Sequence, residues 1–275
     1  MNKSGYDTGE LYVYECRGLG YPMEEPSFEG FLGIWPEPPF YYIFSGRQAL
    51  AGIQRWVGEQ KGWLLRDTYR LDYDQWQQVS TVQHRVGPFV IDTTPSDEDE
   101  AASGADIHIH IDPGVVFGSG LHPTTRGCLM VLADLVSRFP IRIAIDLGTG
   151  TGILAIACAR LGVPAVMALD CNFLAVRVAR RNVRLNRRSE AVHLLVADGL
   201  EVLSGPADLL IMNIEWPCLK KVLQGREWMN HHRVILSGFL QSQWDELKAL
   251  LPREVRVLQR EVLDDWVTAV VAREE

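Results

Sequence analysis

The sequence predicts a doubly wound α/β domain built on a mainly parallel sheet, preceded by a smaller α+β domain. Three observations support this fold class. Short aromatic runs separated by Pro and Gly turns extend to about Leu71, apolar runs alternate with amphipathic ones from Ile107 onward, and a glycine-rich turn directly follows one apolar run. At 275 residues, the chain is long enough for one large and one small domain.

The N-terminal stretch is typical of strands interrupted by one helix. Leu11–Tyr14 and Phe40–Phe44 are aromatic runs of strand length, and further strand-like residues occur at Val82–Ile91. Between Arg47 and Gln60 the apolar residues recur at helical spacing. Strands with one packed helix indicate a small α+β domain, which we expect to occupy residues 1–95.

An acidic run at Ser96–Glu100 leads into a stretch of Ala, Ser and Gly. Calcium loops need carboxylates at alternating positions, a Gly turn and a distal Glu, whereas the carboxylates here are consecutive. The run therefore indicates a solvated linker, which we place at residues 96–106. The second domain then occupies residues 107–275.

In the second domain, apolar strands alternate with amphipathic helices. The runs expected as strands are Ile141–Ile145, Ala165–Leu169, Val192–Val196, Leu209–Met212 and Val234–Leu236, and those expected as helices are Ile153–Leu161 and Phe173–Leu185. This alternation predicts a parallel sheet covered on both faces. Val255–Leu258 and Trp266–Val271, separated by a short turn, predict an antiparallel ending.

The composition argues against several classes of protein. Lys and Arg number 27 against 35 Asp and Glu, so the net charge of −8 repels phosphate backbones and we expect no direct nucleic-acid partner. The five cysteines form no C-x-x-C pair, which favours reduced thiols and a cytoplasmic location. No apolar run approaches the roughly 20 residues of a membrane span.

Two further patterns each have a functional and a structural interpretation. The six arginines from Arg177 to Arg188 could contact RNA, but apolar residues on the other side of the helix favour a solvated surface. His108 and His110 share one face of a strand and could bind zinc. Because no further ligand has an evident position, we expect no metal site.

The strongest local signal is the segment Asp146–Gly152, called the glycine loop below, which follows a buried strand and begins a helix. Its glycines at 148, 150 and 152 permit a tight turn and a close approach of the backbone. A ligand could therefore lie against the strand end and the helix N-terminus. The alternative is a glycine-rich connection without a ligand.

The acidic residues around the glycine loop indicate which cofactor it could bind. Asp170 ends the next strand and could accept hydrogen bonds from both ribose hydroxyls of an adenosine. The spacing is G-x-G-x-G rather than the dinucleotide pattern G-x-G-x-x-G, and Asp146 would repel a pyrophosphate. A carboxylate there suits the cationic methionine end of S-adenosyl-L-methionine, so this cofactor is favoured over NAD.

Polar residues also follow the third and fourth strands. Asp198 could meet the adenine amino group, or could belong to an ordinary Asp-Gly turn. Asn213 could hold an acceptor amine through its amide, or could cap the following helix. Glu215, two residues later, is expected to neutralise an incoming ammonium group.

The segment Asp112–Thr125, called the signature segment below, reads DPGVVFGSGLHPTT. It resembles the D-P-G-x-x-F-G-T-G-x-H-P-T-T signature of the PrmA-type ribosomal protein L11 methyltransferases. With the glycine loop, Asp170 and Asn213, the resemblance covers most of the chain from Ile107 to Glu275. It implies a class I methyltransferase fold with a seven-stranded sheet, S-adenosyl-L-methionine as the methyl donor, and a substrate-recognition role for the N-terminal domain.

The resemblance also assigns site residues. It places cofactor contacts at Thr125, Gly148, Asp170 and Asn213, with Phe117, Gly118 and Gly120 lining the entrance. His122 is expected to be a structural or lid-positioning group rather than a base.

Three features depart from the family pattern. Ser119 and Leu121 stand where the family usually has threonine, and Glu215–Pro217 replaces small apolar residues near the acceptor pocket. The N-terminal domain also lacks a clear first helix of the family's ferredoxin-like βαββαβ sandwich. The acceptor is therefore the part of the resemblance that these residues support least.

The expected function is S-adenosyl-L-methionine-dependent transfer of methyl groups to amines of a basic ribosomal protein, foremost L11, at lysine side chains or the N-terminus. Asn213 and Glu215 are the expected catalytic residues. The binding residues Asp146, Gly148, Gly150, Gly152, Asp170 and Asp198 would hold the donor. The alternatives are a methyltransferase for another protein or a small molecule, and a catalytically silent methyltransferase-like binding module.

Overall fold

Two units divide the chain after Ser80, at residues 1–80 and 81–275. The structure is a computed structural model, and it describes residues 9–20, 22, 24–72, 83–93, 106–199 and 203–274. Within these ranges, no helix combines the length and the apolar character that crossing a lipid bilayer requires.

In its described residues, the N-terminal unit is a four-stranded antiparallel sheet with one helix. Its elements are β1 (Glu10–Arg17), β2 (Phe31–Glu37), β3 (Phe40–Ser45), α1 (Leu50–Glu59) and β4 (Leu64–Asp72). The strand order is β2-β3-β1-β4. Helix α1 buries Ile53, Trp56 and Val57, which are among the residues whose spacing predicted it.

The order of this sheet is that of two interleaved split β-α-β units. β3 lies between β1 and β2, and β1 lies between β3 and β4. Only the second connection is helical, because the described residues between β1 and β2 contain no helix. This is the departure from βαββαβ that the sequence indicated.

The boundary expected after residue 95 is wrong, because the strands before it pair with the second unit. β5 (Gln83–Val86) and β6 (Phe89–Asp92) form an antiparallel hairpin, and β6 pairs in parallel with β7 (Ile107–His110). Phe89 and Ile91 are fully buried in the same core as the large sheet. The expected linker lies outside the described residues except for Asp106, which forms an ion pair with Arg85.

The large sheet of the second unit has seven strands, as expected. They are β8 (Ile143–Leu147), β9 (Ala165–Asp170), β10 (Val192–Val196), β11 (Leu209–Asn213), β12 (Arg233–Leu240), β13 (Val255–Leu263) and β14 (Trp266–Arg273). Their order is β10-β9-β8-β11-β12-β14-β13. β8 to β12 are parallel, and β14 is antiparallel to both of its neighbours.

Helices cover both faces of this sheet, so the doubly wound prediction is confirmed. They are α2 (Pro123–Arg138), α3 (Ile153–Arg160), α4 (Phe173–Leu185), α5 (Trp216–Gln224) and α6 (Trp244–Leu250), with 3₁₀ turns at Glu227–Asn230 and Gln241–Gln243. One apolar core holds residues of α2, α3 and α4, and the other holds residues of α5 and α6.

The strand order reverses between β8 and β11, since the chain continues from β8 to β9 on one side and from β11 to β12 on the other. Ligands of doubly wound sheets bind at such a switch point, at the carboxyl ends of the strands. The antiparallel β14 brings its first residue, Trp266, to the same edge, beside Leu240 at the end of β12. The candidate site therefore lies at this edge.

Candidate functional site

The glycine loop leaves β8 at the switch point and is held by the end of β9. The amides of Gly148 and Thr149 both donate to the carbonyl oxygen of Leu169, at 2.9 and 2.8 Å. Gly150 has a φ of +55°, and a Cβ atom there would lie 2.7 Å from the carbonyl oxygen of Phe117. Only glycine allows the loop to approach the signature segment this closely.

Asp146 is the first residue of the glycine loop, and its side chain is buried under the rest of the loop, with an exposure of 1%. Its Oδ2 accepts hydrogen bonds from the Thr149 hydroxyl at 2.6 Å and from the Ala155 amide in the first turn of α3 at 3.2 Å. Burial raises the pKa of Asp146 to about 6, although these hydrogen bonds oppose the shift. The carboxylate thus shapes the loop from inside, and its contact with a cofactor stays a prediction.

Asp170 connects the glycine loop to the start of α4. Its Oδ2 accepts a hydrogen bond from the Gly150 amide at 3.0 Å, and its Oδ1 accepts one from the Asn172 amide at 2.9 Å. Burial raises the pKa of Asp170, against the effect of the two amides. Each carboxylate oxygen has a second lone pair, so further donors can still be accepted.

The signature segment lies against the glycine loop through Thr151. The Thr151 amide donates to the carbonyl oxygen of Phe117 at 3.3 Å, and its hydroxyl donates to that of Gly118 at 2.7 Å. The Phe117 ring is 52% exposed. Gly120 also packs against the β5–β6 hairpin, because a Cβ atom there would lie 2.9 Å from both His84 and Ile91. The same Cβ atom would lie 3.1 Å from the Cδ1 of Ile153, the first residue after the glycine loop. Phe117 and Gly118 are therefore beside the loop, and Gly120 lies between the β5–β6 hairpin and the start of α3.

His122 is the N-cap of α2. Its Nδ1 accepts a hydrogen bond from the Thr124 amide at 3.3 Å and lies 2.8 Å from the Thr124 hydroxyl. Burial lowers the pKa of His122, which favours the neutral ring that can accept. The ring also packs edge-on against Phe117 and Trp266, with centroids 5.1 and 4.8 Å apart. His122 therefore caps α2, and the expectation that it does not act as a base stays a prediction.

Asn213 ends β11 and contacts the first turn of α2. Its Nδ2 donates to the hydroxyl of the buried Thr125 at 3.4 Å, which leaves its Oδ1 as a further acceptor. The alternative that Asn213 caps the next helix is wrong, because Glu215 holds the N-cap position of α5. The Glu215 side chain is exposed and makes no capping hydrogen bond, and its catalytic role stays a prediction.

Ile214, between these two residues, is wedged against two glycines. A Cβ atom at Gly148 would lie 2.3 Å from the Cγ2 of Ile214, and one at Gly238 would lie 1.9 Å from its carbonyl oxygen. Gly238 is the residue in β12 at which the register with β14 shifts. The segment after β11 is therefore fixed between the glycine loop and β12.

Asp198 is exposed in the turn after β10. A Cβ atom at the adjoining Gly199 would lie 1.9 Å from the Cδ1 of Leu147, so this turn packs against the start of the glycine loop. The polar residues that end β8 to β11 thus share one edge, as the sequence predicted. A contact of Asp198 with adenine stays a prediction.

Comparison with known proteins assigns this arrangement to a family. The family model described as "Ribosomal protein L11 methyltransferase (PrmA)" matches residues 72–274, which include the signature segment and the whole seven-stranded sheet. The chain belongs to this family. The N-terminal unit up to Leu71 lies outside the match.

Individual relatives agree with the family match. The ribosomal protein L11 methyltransferases of Geobacillus kaustophilus and Rhizobium rhizogenes are 37% identical over 177 residues and 38% identical over 191 residues. These alignments cover 63% and 67% of this chain, and 56% and 65% of the relatives. The chain thus matches less than two thirds of the relatives' length.

A solved structure supports the fold. The ribosomal protein L11 methylase of Lactobacillus delbrueckii subsp. bulgaricus has 25% sequence identity and a TM-score of 0.62, over 71% of this chain and 100% of that one. The class I methyltransferase fold expected from the signature segment is therefore confirmed.

Sequence reasoning missed two buried asparagines of the family domain, Asn182 on α4 and Asn186 at its C-cap. They bind backbone atoms of the signature segment and of β7. Two amides four residues apart, on the face that carries Ala179 and Val183, were the available signal, because a buried amide needs hydrogen-bond partners.

Residues of the arginine-rich helix and of the His108–His110 strand make structural contacts. Arg181 forms an ion pair with Asp112 at 2.8 Å, and Arg180 and Arg184 are exposed. The backbone of His110 binds Asn186. In the part of the chain that the structure describes, no group of three His, Cys, Asp or Glu residues could hold a metal ion.

We predict that Gly238→Ala destabilises the protein more than Gly162→Ala does. Both glycines have a φ of +93°, but nothing lies within 4 Å of a Cβ atom at Gly162. Both variants pay the cost of placing alanine in a left-handed backbone conformation. Only Gly238→Ala adds the clash with Ile214, which should lower the free energy of unfolding by a further amount of roughly 1 to 3 kcal/mol. Urea unfolding measures the difference. Equal losses of unfolding free energy in the two variants would contradict the tight packing of Ile214 against Gly238.

We predict that Asp146 makes the protein less stable as the pH rises from about 4 to about 6. The pKa is about 6 when folded and about 4 when unfolded, so the contribution of Asp146 is complete below pH 4 and is lost through pH 6. Asp146→Asn does not titrate. Its free energy of unfolding relative to wild type should rise by on the order of 3 kcal/mol between pH 4 and pH 7. A constant difference in denaturant titrations would refute this.

Proposed function

We propose that this protein is an S-adenosyl-L-methionine-dependent methyltransferase that methylates amines of a basic ribosomal protein, with L11 as the foremost candidate. The observation that carries the proposal is that the glycine loop, Asp170 and Asn213 meet at the switch-point edge of the sheet, in a chain that belongs to the ribosomal protein L11 methyltransferase family. The proposed location is the cytoplasm.

The residues at this edge suit the proposed donor. The loop carries glycines in left-handed conformation at its closest approach to the signature segment, and Asp170 can accept two more hydrogen bonds, as the ribose hydroxyls require. Asp198 would meet adenine from the neighbouring turn. Three carboxylates, those of Asp146, Asp170 and Asp198, would repel a pyrophosphate and attract a cationic donor. When bound, S-adenosyl-L-methionine supplies a methyl group on a positively charged sulfur.

The acceptor would approach between Asn213 and the exposed Phe117 ring. The Oδ1 of Asn213 would accept an N–H bond of the amine and direct its lone pair at the methyl carbon. Phe117 would cover the alkyl chain and attract the ammonium form before it loses a proton. The exposed Glu215 carboxylate would stabilise the same cation. Thr125 would hold the Asn213 amide in place.

The reaction would be a direct displacement. The donor would supply its methyl group to the lone pair of the amine nitrogen, and the carbon–sulfur bonding pair would stay on the departing sulfur. The nitrogen would then release its extra proton to solvent. Positioning of the two reactants by Asn213 and the glycine loop would supply most of the acceleration.

A basic ribosomal protein fits the charge of this chain. A net charge of −8 attracts a cationic partner and speeds its association at low salt. The four-stranded N-terminal unit is the proposed recognition domain. Methylation of another protein or a small molecule, and a silent binding module, remain the alternatives because Glu215–Pro217 departs from the family near the acceptor.

A methyl-transfer assay tests the function. Purified protein is incubated with radiolabelled S-adenosyl-L-methionine and with separate fractions of unmethylated ribosomal proteins, total protein, RNA and small metabolites, and products are resolved by gel and mass spectrometry. We expect label on L11. Label on another acceptor would support the first alternative, and donor binding without turnover would support the silent module.

We predict that Asp170→Ala weakens donor binding. Loss of the carboxylate removes the acceptors for the ribose hydroxyls and the hydrogen bond that holds the Gly150 amide. This loss should cost about 1.5 to 3 kcal/mol of binding free energy. Isothermal titration with S-adenosyl-L-methionine measures it. Asp245→Ala, at an exposed site on α6, is the control and should bind as wild type does. Equal affinities for all three proteins would remove Asp170 from the site.

A further inference from the structure

Asn182, a fully buried residue of α4, joins the two segments between which the donor is proposed to bind. Its Oδ1 accepts a hydrogen bond from the Asp112 amide at 2.9 Å. Its Nδ2 donates to the carbonyl oxygens of Asp112 and Thr151, at 3.1 and 2.9 Å. One side chain therefore holds the first residue of the signature segment and the end of the glycine loop, at Thr151, at a fixed separation.

Thr151 makes a second link between the same segments. This residue is fully buried, and its hydroxyl and amide donate to the carbonyl oxygens of Gly118 and Phe117. The signature segment is thus attached to the glycine loop at Asp112 through Asn182, and at Phe117–Gly118 through Thr151.

The other contacts of Asp112 strengthen this arrangement. Its Oδ1 accepts a hydrogen bond from the Gly114 amide at 3.1 Å, and its Oδ2 lies 2.8 Å from the guanidinium of Arg181. Arg181 precedes Asn182 on α4, so two consecutive residues of one helix hold Asp112 by its side chain and its backbone. This helix begins at Phe173, where the Asn172 side chain caps it, and the Asn172 amide donates to the Asp170 carboxylate.

We propose that Asn182 is a positioning residue for the methyl donor. It touches neither reactant, and it acts through Asp112 and Thr151 by setting the distance between the two walls of the donor site. The proposal rests on the proposed function, because it presumes that the donor binds between the signature segment and the glycine loop. Loss of the amide would let the walls separate and would weaken donor binding while the fold persists.

The chain contains a matched control one helical turn away. Asn186 is 1% exposed, its Oδ1 accepts a hydrogen bond from the His110 amide at 3.0 Å, and its Nδ2 donates to the His110 carbonyl oxygen at 2.6 Å. Its Nδ2 also donates to the backbone carbonyl oxygen of Asn182 at 2.8 Å, and its Oδ1 lies 3.5 Å from the guanidinium of Arg160. The chemistry is that of Asn182, but none of these partners belongs to either wall. If Asn182 had a merely structural role, replacing either asparagine would change the affinity for the donor to the same extent.

The test compares Asn182→Ala with Asn186→Ala. Thermal unfolding without ligand should give similar decreases in Tm for the two variants. Calorimetry with S-adenosyl-L-homocysteine should give a Kd at least ten times that of wild type for Asn182→Ala and within about threefold for Asn186→Ala. Equal changes in Kd, or an unchanged Kd for Asn182→Ala, would overturn the proposal.

A second variant keeps the test decisive if Asn182→Ala does not fold. Thr151→Val preserves the volume of the side chain and removes only its hydroxyl bond to Gly118. We expect it to raise the Kd for S-adenosyl-L-homocysteine at least fivefold, and its effect should be non-additive with Asn182→Ala where both can be measured. Wild-type affinity in Thr151→Val would count against the two-walled arrangement.

Hydrogen exchange separates this proposal from the proposed function. Asn182→Ala should speed amide exchange in residues 112–121 and 148–152, whereas Asn186→Ala should speed it in β7. A wild-type protein that binds no S-adenosyl-L-homocysteine would contradict the proposed function, and the exchange pattern would still report on Asn182. Unchanged exchange in both walls would refute the positioning role by itself.

Discussion

The buried carboxylate of Asp146 and the glycine loop above it form the fixed point from which the site is built. The carboxylate accepts hydrogen bonds from the Thr149 hydroxyl and from the first turn of α3. These two bonds fix the position of the turn relative to the helix that follows it. The loop then donates hydrogen bonds from the Gly150 amide to the Asp170 carboxylate and from the Thr151 hydroxyl to the carbonyl oxygen of Gly118, which connect it to β9 and to the signature segment. A polar group that is costly to bury thereby orders three separate stretches of chain.

Local patterns were sufficient to predict the seven strands of the large sheet, the helices α3 and α4, and the edge at which the polar residues meet. The helix expected at Phe173–Leu185 has the observed bounds, because its apolar residues recur with helical spacing beside a capping Asn172. Asp170 and Asn213 could be placed because parallel strands end at one edge of a sheet. Thr125 was identified only through the resemblance of the signature segment, since its partner lies 88 residues away.

Interactions between distant residues account for what the sequence analysis missed. The hairpin β5–β6 pairs with β7 across an acidic segment that looks like a domain boundary, and strand pairing of this kind leaves no local pattern. Asn182 likewise binds backbone atoms 31 and 70 residues away. The arginines of α4 indicated a solvated helix surface. The buried side of the same helix carries Asn182, and its C-cap is Asn186; the two side chains bind backbone atoms of the signature segment and of β7.

The position of β14 has a consequence for biosynthesis. This strand is the last in the described chain, yet it lies inside the sheet between β12 and β13, with Val267, Ala269 and Val270 fully buried. Until it emerges from the ribosome, β12 exposes an unpaired apolar edge, which is a template for association with other chains. Trp266 also reaches His122 only at that stage. The nascent domain therefore passes through an aggregation-prone state that ends when β14 pairs with β12, and the same pairing brings Trp266 to the site.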